Sequence, residues 1–317
     1  MGSMAIPKIP INIKTLAKAG QLFESESNAD TRIEVLVDTS ADSALIALCR
    51  EVLEVRPGAV QLDIKGFEDE MPALNKEADL TLVIAGTSSF LKRIMEIALW
   101  SELNCVVLTT DAAALIAAVP EEDALEIAKN VIEVDLAKPQ EALEQSLARW
   151  CISRLPDLRL SLGAAFPFMR LPIAVDLTRQ TAFENAVIAS VFFLPGADLP
   201  ILTLNQCKLF YQIAVINEVP LSRERLVDAA AVIISAFGLR GFARLVLRKL
   251  TPIGWLVRGS TAFGATMAMG HLAFQMYSRG GGVIELAKGG LELGLARSDR
   301  PDDEAVFYEI ISVTPGD

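Results

Sequence analysis

The chain has 317 residues, 52% of them apolar and 22% charged, which suits two domains with ample core and excludes a disordered chain. Its formal charge of −11 is uneven: residues 1–150 carry 25 acids and 13 bases, residues 151–290 carry 8 and 14, and residues 291–317 carry 7 and 2. A modestly basic middle with few interleaved aromatic residues excludes nucleic acid as the main partner and suits an anionic lipid surface or the chain's own acidic half.

Met1-Gly2-Ser3 reads as an expression remnant, and residues 1–28 as tag and leader. Ala5–Ile13 is apolar but broken by Pro7, Lys8 and Pro10, with no small-residue cleavage site after it, so a cytoplasmic location is expected. The mean hydropathy of +0.39 raises the expectation of membrane contact. Cys49, Cys105, Cys151 and Cys207 form no CxxC pair, which points to buried thiols rather than zinc or disulfides.

In chain order, Ile33–Val37 reads as a strand, 42–55 as a helix stopped by Pro57-Gly58, and Val60–Ile64 as a strand with one solvated face. Leu80–Ile84 and Cys105–Leu108 are continuous apolar runs of the kind buried on both faces of a parallel sheet. Helices are expected over 88–103, 112–118, 121–129 and 139–155, and a last short strand over 131–134. Strands alternating with helices indicate an α/β domain over 29–155 with a parallel sheet, whose ligands would sit at the strands' carboxyl ends: Asp38–Ser43, Gly86–Ser89 and Thr109–Asp111. After Pro156 the pattern becomes all-α: an apolar helical domain over 156–290, with about five helices across 170–290. An acidic tail follows over 291–317, with one expected strand at Phe307–Val313.

The loop after the first strand, Asp38-Thr39-Ser40-Ala41-Asp42-Ser43-Ala44, has no Gly and no Lys and carries two carboxylates. A phosphate loop needs glycines for close backbone approach and a Lys for the phosphates. Asp42 reads instead as a helix N-cap, and magnesium on Asp38 has no phosphate to support it. His271 is the single histidine and sits in an apolar Gly-rich helix, where a packed, hydrogen-bonded ring is expected. No catalytic residue, cofactor or metal is assigned.

Three features of the helical domain point to contacts. Arg240, Arg244 and Arg248 fall at i, i+4 and i+8 beside Phe242 in LRGFARLVLRKL, a basic amphipathic helix for a membrane interface or an acidic protein surface. Asp198, Asn205 and Gln206 follow the turn Leu194-Pro195-Gly196 and form an expected polar hub within apolar helices. Gly259–Tyr277 is nineteen residues without a formal charge, long enough to approach a bilayer span. Its small-residue rows, Ala262/Thr266/Gly270 and Gly264/Ala268, suit close helix–helix packing. A buried helix and a spanning, integral helix both remain open at this point.

Together, Phe166-Pro167 with Arg170, Asn185-Ala186, Leu194-Pro195-Gly196-Ala197-Asp198, Leu202-Thr203-Leu204-Asn205-Gln206, Phe237-Gly238-Leu239-Arg240 and Pro252-Ile253-Gly254-Trp255 with Thr261 make residues 156–280 resemble the bacterial domain-of-unknown-function 697 family. That resemblance implies membrane association behind an Era-like GTPase domain. The α/β part is similar to such a GTPase in outline, through Ala78–Ile84 and Cys105–Leu108, but the Gly-Lys-Ser/Thr and the guanine-reading Asn-Lys are absent. The resemblance therefore implies a degenerate, pseudo-GTPase fold without GTP binding. The expected function is a non-enzymatic interaction or scaffolding protein whose partner is itself, another protein or the inner membrane. The alternatives are a nucleotide hydrolase with an atypical site at Thr39–Ser43 and Thr109–Asp111, and a soluble homo-oligomeric assembly module.

Overall fold

The computed structural model describes residues 31–56, 60–191, 199–219 and 254–279. The leader, the tail with the expected strand Phe307–Val313, and the basic stretch 239–250 lie outside the described residues. Contacts divide the chain into two units: the described part of Asp30–Asp176 with Ile216–Glu218, and the described part of Leu177–Val215 with Val219–Ser298.

The first unit is α/β. Its elements are β1 (Arg32–Asp38), α1 (Ser43–Val52), β2 (Gln61–Phe67), β3 (Leu80–Ile84), α2 (Phe90–Trp100), β4 (Cys105–Thr109), α3 (Ala112–Ala117), α4 (Glu121–Ala128), β5 (Val131–Glu133) and α5 (Gln140–Arg154). The strands form one sheet in the order β2-β1-β3-β4-β5, parallel at every pairing, with Val35 facing Ile64 on one side and Leu82 on the other. β3 and β4 are buried at all five positions, as their continuous apolar runs require. One face sets Leu36, Val83 and Val107 against Leu91, Ile94 and Met95 of α2 and Ile127 of α4. On the other, Ile33, Val35 and Leu82 meet Leu147 and Cys151 of α5.

The sequence reading ends this domain at residue 155; contacts carry it to Asp176. The reason is packing. Between the 3-10 turns Pro156–Leu158 and Pro167–Met169 lies α6 (Arg159–Ala165), and Leu162, Phe166 and Met169 meet Ile33 and Leu82 beneath the sheet. Gly163 belongs here too, since a Cβ would lie 2.7 Å from Ile216 Cγ2. Glu218 then accepts from Arg56 at 3.0 and 3.1 Å, and from Arg170.

β2 departs from expectation. Its apolar face is covered only in part, with Leu62 half-buried beneath the sheet and Ile64 62% exposed, because β2 is the sheet's edge and only β1 flanks it. The edge carries charge instead. Lys65 donates to Glu34 at 2.8 Å and pairs with Asp63 at 2.9 Å, a usual protection of an edge strand. Glu34 is wholly buried and also accepts the Asn75 N–H at 3.0 Å. The Lys65 ammonium is held above its ordinary value, first by the hydrogen bond to Glu34 and then by that to Asp63. Its contribution to stability is thus present below the ordinary lysine value and fades as pH rises through the higher folded value. Lys65→Met should cost about 2 kcal/mol at pH 7, less than the ~3–5 kcal/mol for a fully buried pair, because Lys65 stays 40% exposed and screened. Urea unfolding at pH 7 and above pH 10 checks both size and sign.

The thiols of Cys49, Cys105 and Cys151 are buried and free, and burial pushes each up to about 12.

The second unit is helical. Of the five expected helices the described residues show α7 (Arg170–Val191, in this unit from Leu177 on), α8 (Leu199–Ile216, in this unit to Val215) and α9 (Gly254–Ser278). Buried residues recur at helical spacing: Thr178, Ala182, Asn185 and Ala189 on α7, and Ala262, Thr266, Met269 and Ala273 on α9. Among the described residues no helix is long and apolar enough to cross a membrane, which corrects the spanning alternative for residues 259–277. That stretch packs on α7 through a polar, small-residue face: a Cβ on Gly259 would lie 2.4 Å from Ser190 Oγ, and one on Gly270 2.2 Å from Thr178.

Candidate functional site

In this strand order β1 and β3 flank the point where the connections part, the place where open parallel sheets hold ligands at the strands' carboxyl ends. Asp38 closes β1 there and is wholly buried. Its Oδ1 accepts from the Ser40 N–H at 2.9 Å and the Ser40 hydroxyl at 2.6 Å. Its Oδ2 accepts from the N–H groups of Gly86 and Ser88, both at 3.0 Å. Ser40 Oγ accepts in turn from the Thr87 N–H at 2.9 Å. Backbone N–H groups gathered in this way make an anion cradle, and here the chain's own carboxylate fills it.

Two further details keep the cradle shut. A Cβ on Gly86 would lie 2.4 Å from Ala41 N and 2.6 Å from Ser40 C, so the loops after β1 and β3 touch backbone to backbone. The amino end of α1 is capped by Asp42, whose Oδ1 accepts from Ala44 N at 2.8 Å, as expected, so a carboxylate stands where an anion would approach.

The other carboxyl-end site, Thr109–Asp111, is also turned inward. Asp111 caps α3 by accepting from Ala114 N at 2.8 Å, and Thr109 Oγ1 accepts from Asp111 N at 3.2 Å. Beside it an open cavity of about 500 Å³ is lined by Asp42, Thr110, Glu133, Asp135 and Lys138 among others. Three carboxylates against one ammonium give it a negative field that repels phosphate. Among the described residues no group of three His, Cys, Asp or Glu could hold a metal ion. The residues present do not fit a nucleoside triphosphate with magnesium.

No family model, no curated protein and no solved structure matches the chain. The resemblance to the domain-of-unknown-function 697 family rests on the sequence residues alone.

The helical unit holds a buried polar cluster that includes Asn205. Asn185 is its centre: Nδ2 donates to Thr266 Oγ1 at 3.0 Å, and Oδ1 accepts from Asn205 Nδ2 at 3.0 Å. Thr266 Oγ1 donates to Ala262 O at 2.8 Å, and Gln206 is wholly buried. Three helices are thus tied by amide and hydroxyl groups that burial forces to pair. Sequence reasoning named Asn205 and Gln206 but left Asn185 out of the hub; the signal was another amide in a largely apolar helix. Of the small residues, Ala262, Thr266 and Gly270 face inward, whereas Gly264 and Ala268 are exposed and stand apart from that packing. His271 lies with Nε2 2.9 Å from the Gln275 amide nitrogen. Asp198, Arg240, Phe242, Arg244 and Arg248 lie outside the described residues.

Gly270→Ala should cost about 2 kcal/mol by overpacking against Thr178, and Thr178→Ala should recover part of it. A double-mutant cycle from urea unfolding should give a coupling of about 1 kcal/mol; strict additivity would place Gly270 away from Thr178.

Proposed function

We propose that this chain is a non-enzymatic interaction protein, with a degenerate GTPase-like α/β unit offering a protein-binding surface and a basic helical unit docking on an anionic membrane face. The observation that carries the reading is the Asp38 carboxylate seated among the N–H groups of Ser40, Gly86 and Ser88. An internal anion held by those groups competes with any phosphate, and the acidic cavity beside Thr110 adds repulsion. Membrane contact is supported by the excess of 14 bases over 8 acids in residues 151–290 and by the exposed row Phe183, Val187 and Val191 on α7. That row borders an apolar groove of about 560 Å³, also lined by Phe263 and Gly264. The arginine row Arg240, Arg244 and Arg248 supports it from sequence.

Two assays test the reading. Labelled GTP and ATP with magnesium should not bind the purified chain; stoichiometric binding would return the atypical hydrolase. The chain should float with vesicles containing anionic lipid and not with neutral ones, and Arg240→Glu should weaken flotation. A chain that never floats is not a membrane protein. The exposed Gly264 and Ala268 row favours self-association as a second reading, which solution mass measured across concentration decides.

A further inference from the structure

The amino-terminal end of the sheet, opposite Asp38, carries a separate cavity of about 250 Å³ in the α/β unit. Met95, Leu99 and Leu103 line it from α2 and the turn beyond, and Ile127 and Trp150 complete an apolar wall. The Trp150 ring is held in place, because Nε1–H donates to Lys129 O at 3.2 Å and to Asn130 Oδ1 at 3.3 Å. Two opposite charges belong to the same lining. Arg154, in the last turn of α5, makes no ion pair within 4 Å among the described residues and acts only through space on Glu126, and Glu102 makes no ion pair within 4 Å either. Glu102 follows the carboxyl end of α2, where Leu99 O accepts its N–H at 3.2 Å. The helix dipole there adds negative potential.

We propose that this cavity binds a small zwitterion with an apolar side chain, a free α-amino acid of leucine or phenylalanine size, its carboxylate on Arg154, its ammonium beside Glu102 and its side chain against Leu99, Leu103 and Trp150. A ligand carrying one charge leaves the other lining charge unmatched, and so the pair selects a molecule with both. The volume lies below that of most cofactor pockets and suits a ligand of amino-acid size. Cys105 lines the cavity too, and an α-amino acid offers its thiol no electrophile, so the ligand is held without a covalent bond. The site is independent of the reading of Asp38.

The test is calorimetric titration of the full chain with L-leucine and L-phenylalanine, with phenylacetate and phenethylamine as single-charge analogues. At least one amino acid should bind saturably, and both analogues about tenfold more weakly. Arg154→Gln and Glu102→Gln change exposed side chains, should leave the melting temperature unchanged, and should each weaken binding about tenfold. Absence of binding by both amino acids, equal binding by phenylacetate, or indifference to both variants in folded protein overturns the proposal.

Discussion

Asp38→Ala is expected to lower the unfolding free energy by about 4 kcal/mol. The wholly buried carboxylate accepts from three backbone N–H groups and one hydroxyl. Removing it leaves the N–H groups of Ser40, Gly86 and Ser88 without an acceptor, at about 1–3 kcal/mol each. Ser40 and Thr87 are exposed, so water offsets part of the sum. Denaturant unfolding measures the loss. The variant also has a distinctive rescue. With the internal carboxylate gone, acetate or phosphate can enter among the same donors, so either anion should raise the melting temperature of Asp38→Ala and leave the parent unchanged. A variant within about 1 kcal/mol of the parent, or one blind to anions, would show that Asp38 does not close the crevice, and the interaction reading would lose its main support.

Gly86→Ala is the second large effect, about 3 kcal/mol or more. The added methyl meets main-chain atoms, Ala41 N at 2.4 Å and Ser40 C at 2.6 Å. No rotamer relieves such a clash, so the two loops must part and the Gly86–Asp38 hydrogen bond lengthens with them. Gly264→Ala is the matching control, since a Cβ there has nothing within 4 Å. In a helix it should stabilise by about 0.5–1 kcal/mol. Melting the two variants side by side compares a methyl in a closed crevice with one in open space.

The central strands were legible because burial on both faces leaves a direct trace, an unbroken apolar run, at Leu80–Ile84 and Cys105–Leu108. β2 was legible as a strand but not as an edge. Alternation through Leu62 and Ile64 assigns faces and says nothing about how many neighbours a strand has. Pro156 looked like a domain boundary because it ends a helix; that Leu162 and Phe166 return to the sheet depends on the path of short turns, which periodicity does not encode. The loop after β1 reads as lacking phosphate-loop chemistry, because missing Gly and Lys can be seen locally. Its replacement could not be, since Asp38 meets donors 48 and 50 residues away. The hub has the same difficulty: Asn185 and Thr266 are 81 residues apart, and helical spacing gives the face a residue occupies without naming the helix opposite.

The four thiols give the molecule internal clocks for its own opening. Alkylation proceeds through the thiolate, and at neutral pH a thiol whose pKa is pushed to about 12 reacts only when its surroundings open and its ordinary acidity returns. Cys49 and Cys151 then time the α/β unit, Cys105 the wall of its cavity, and Cys207, half-buried and raised to about 11, times the helical one. Mass-resolved labelling over time should show Cys207 modified first and Cys49 and Cys151 together, each interval a direct reading of local opening free energy.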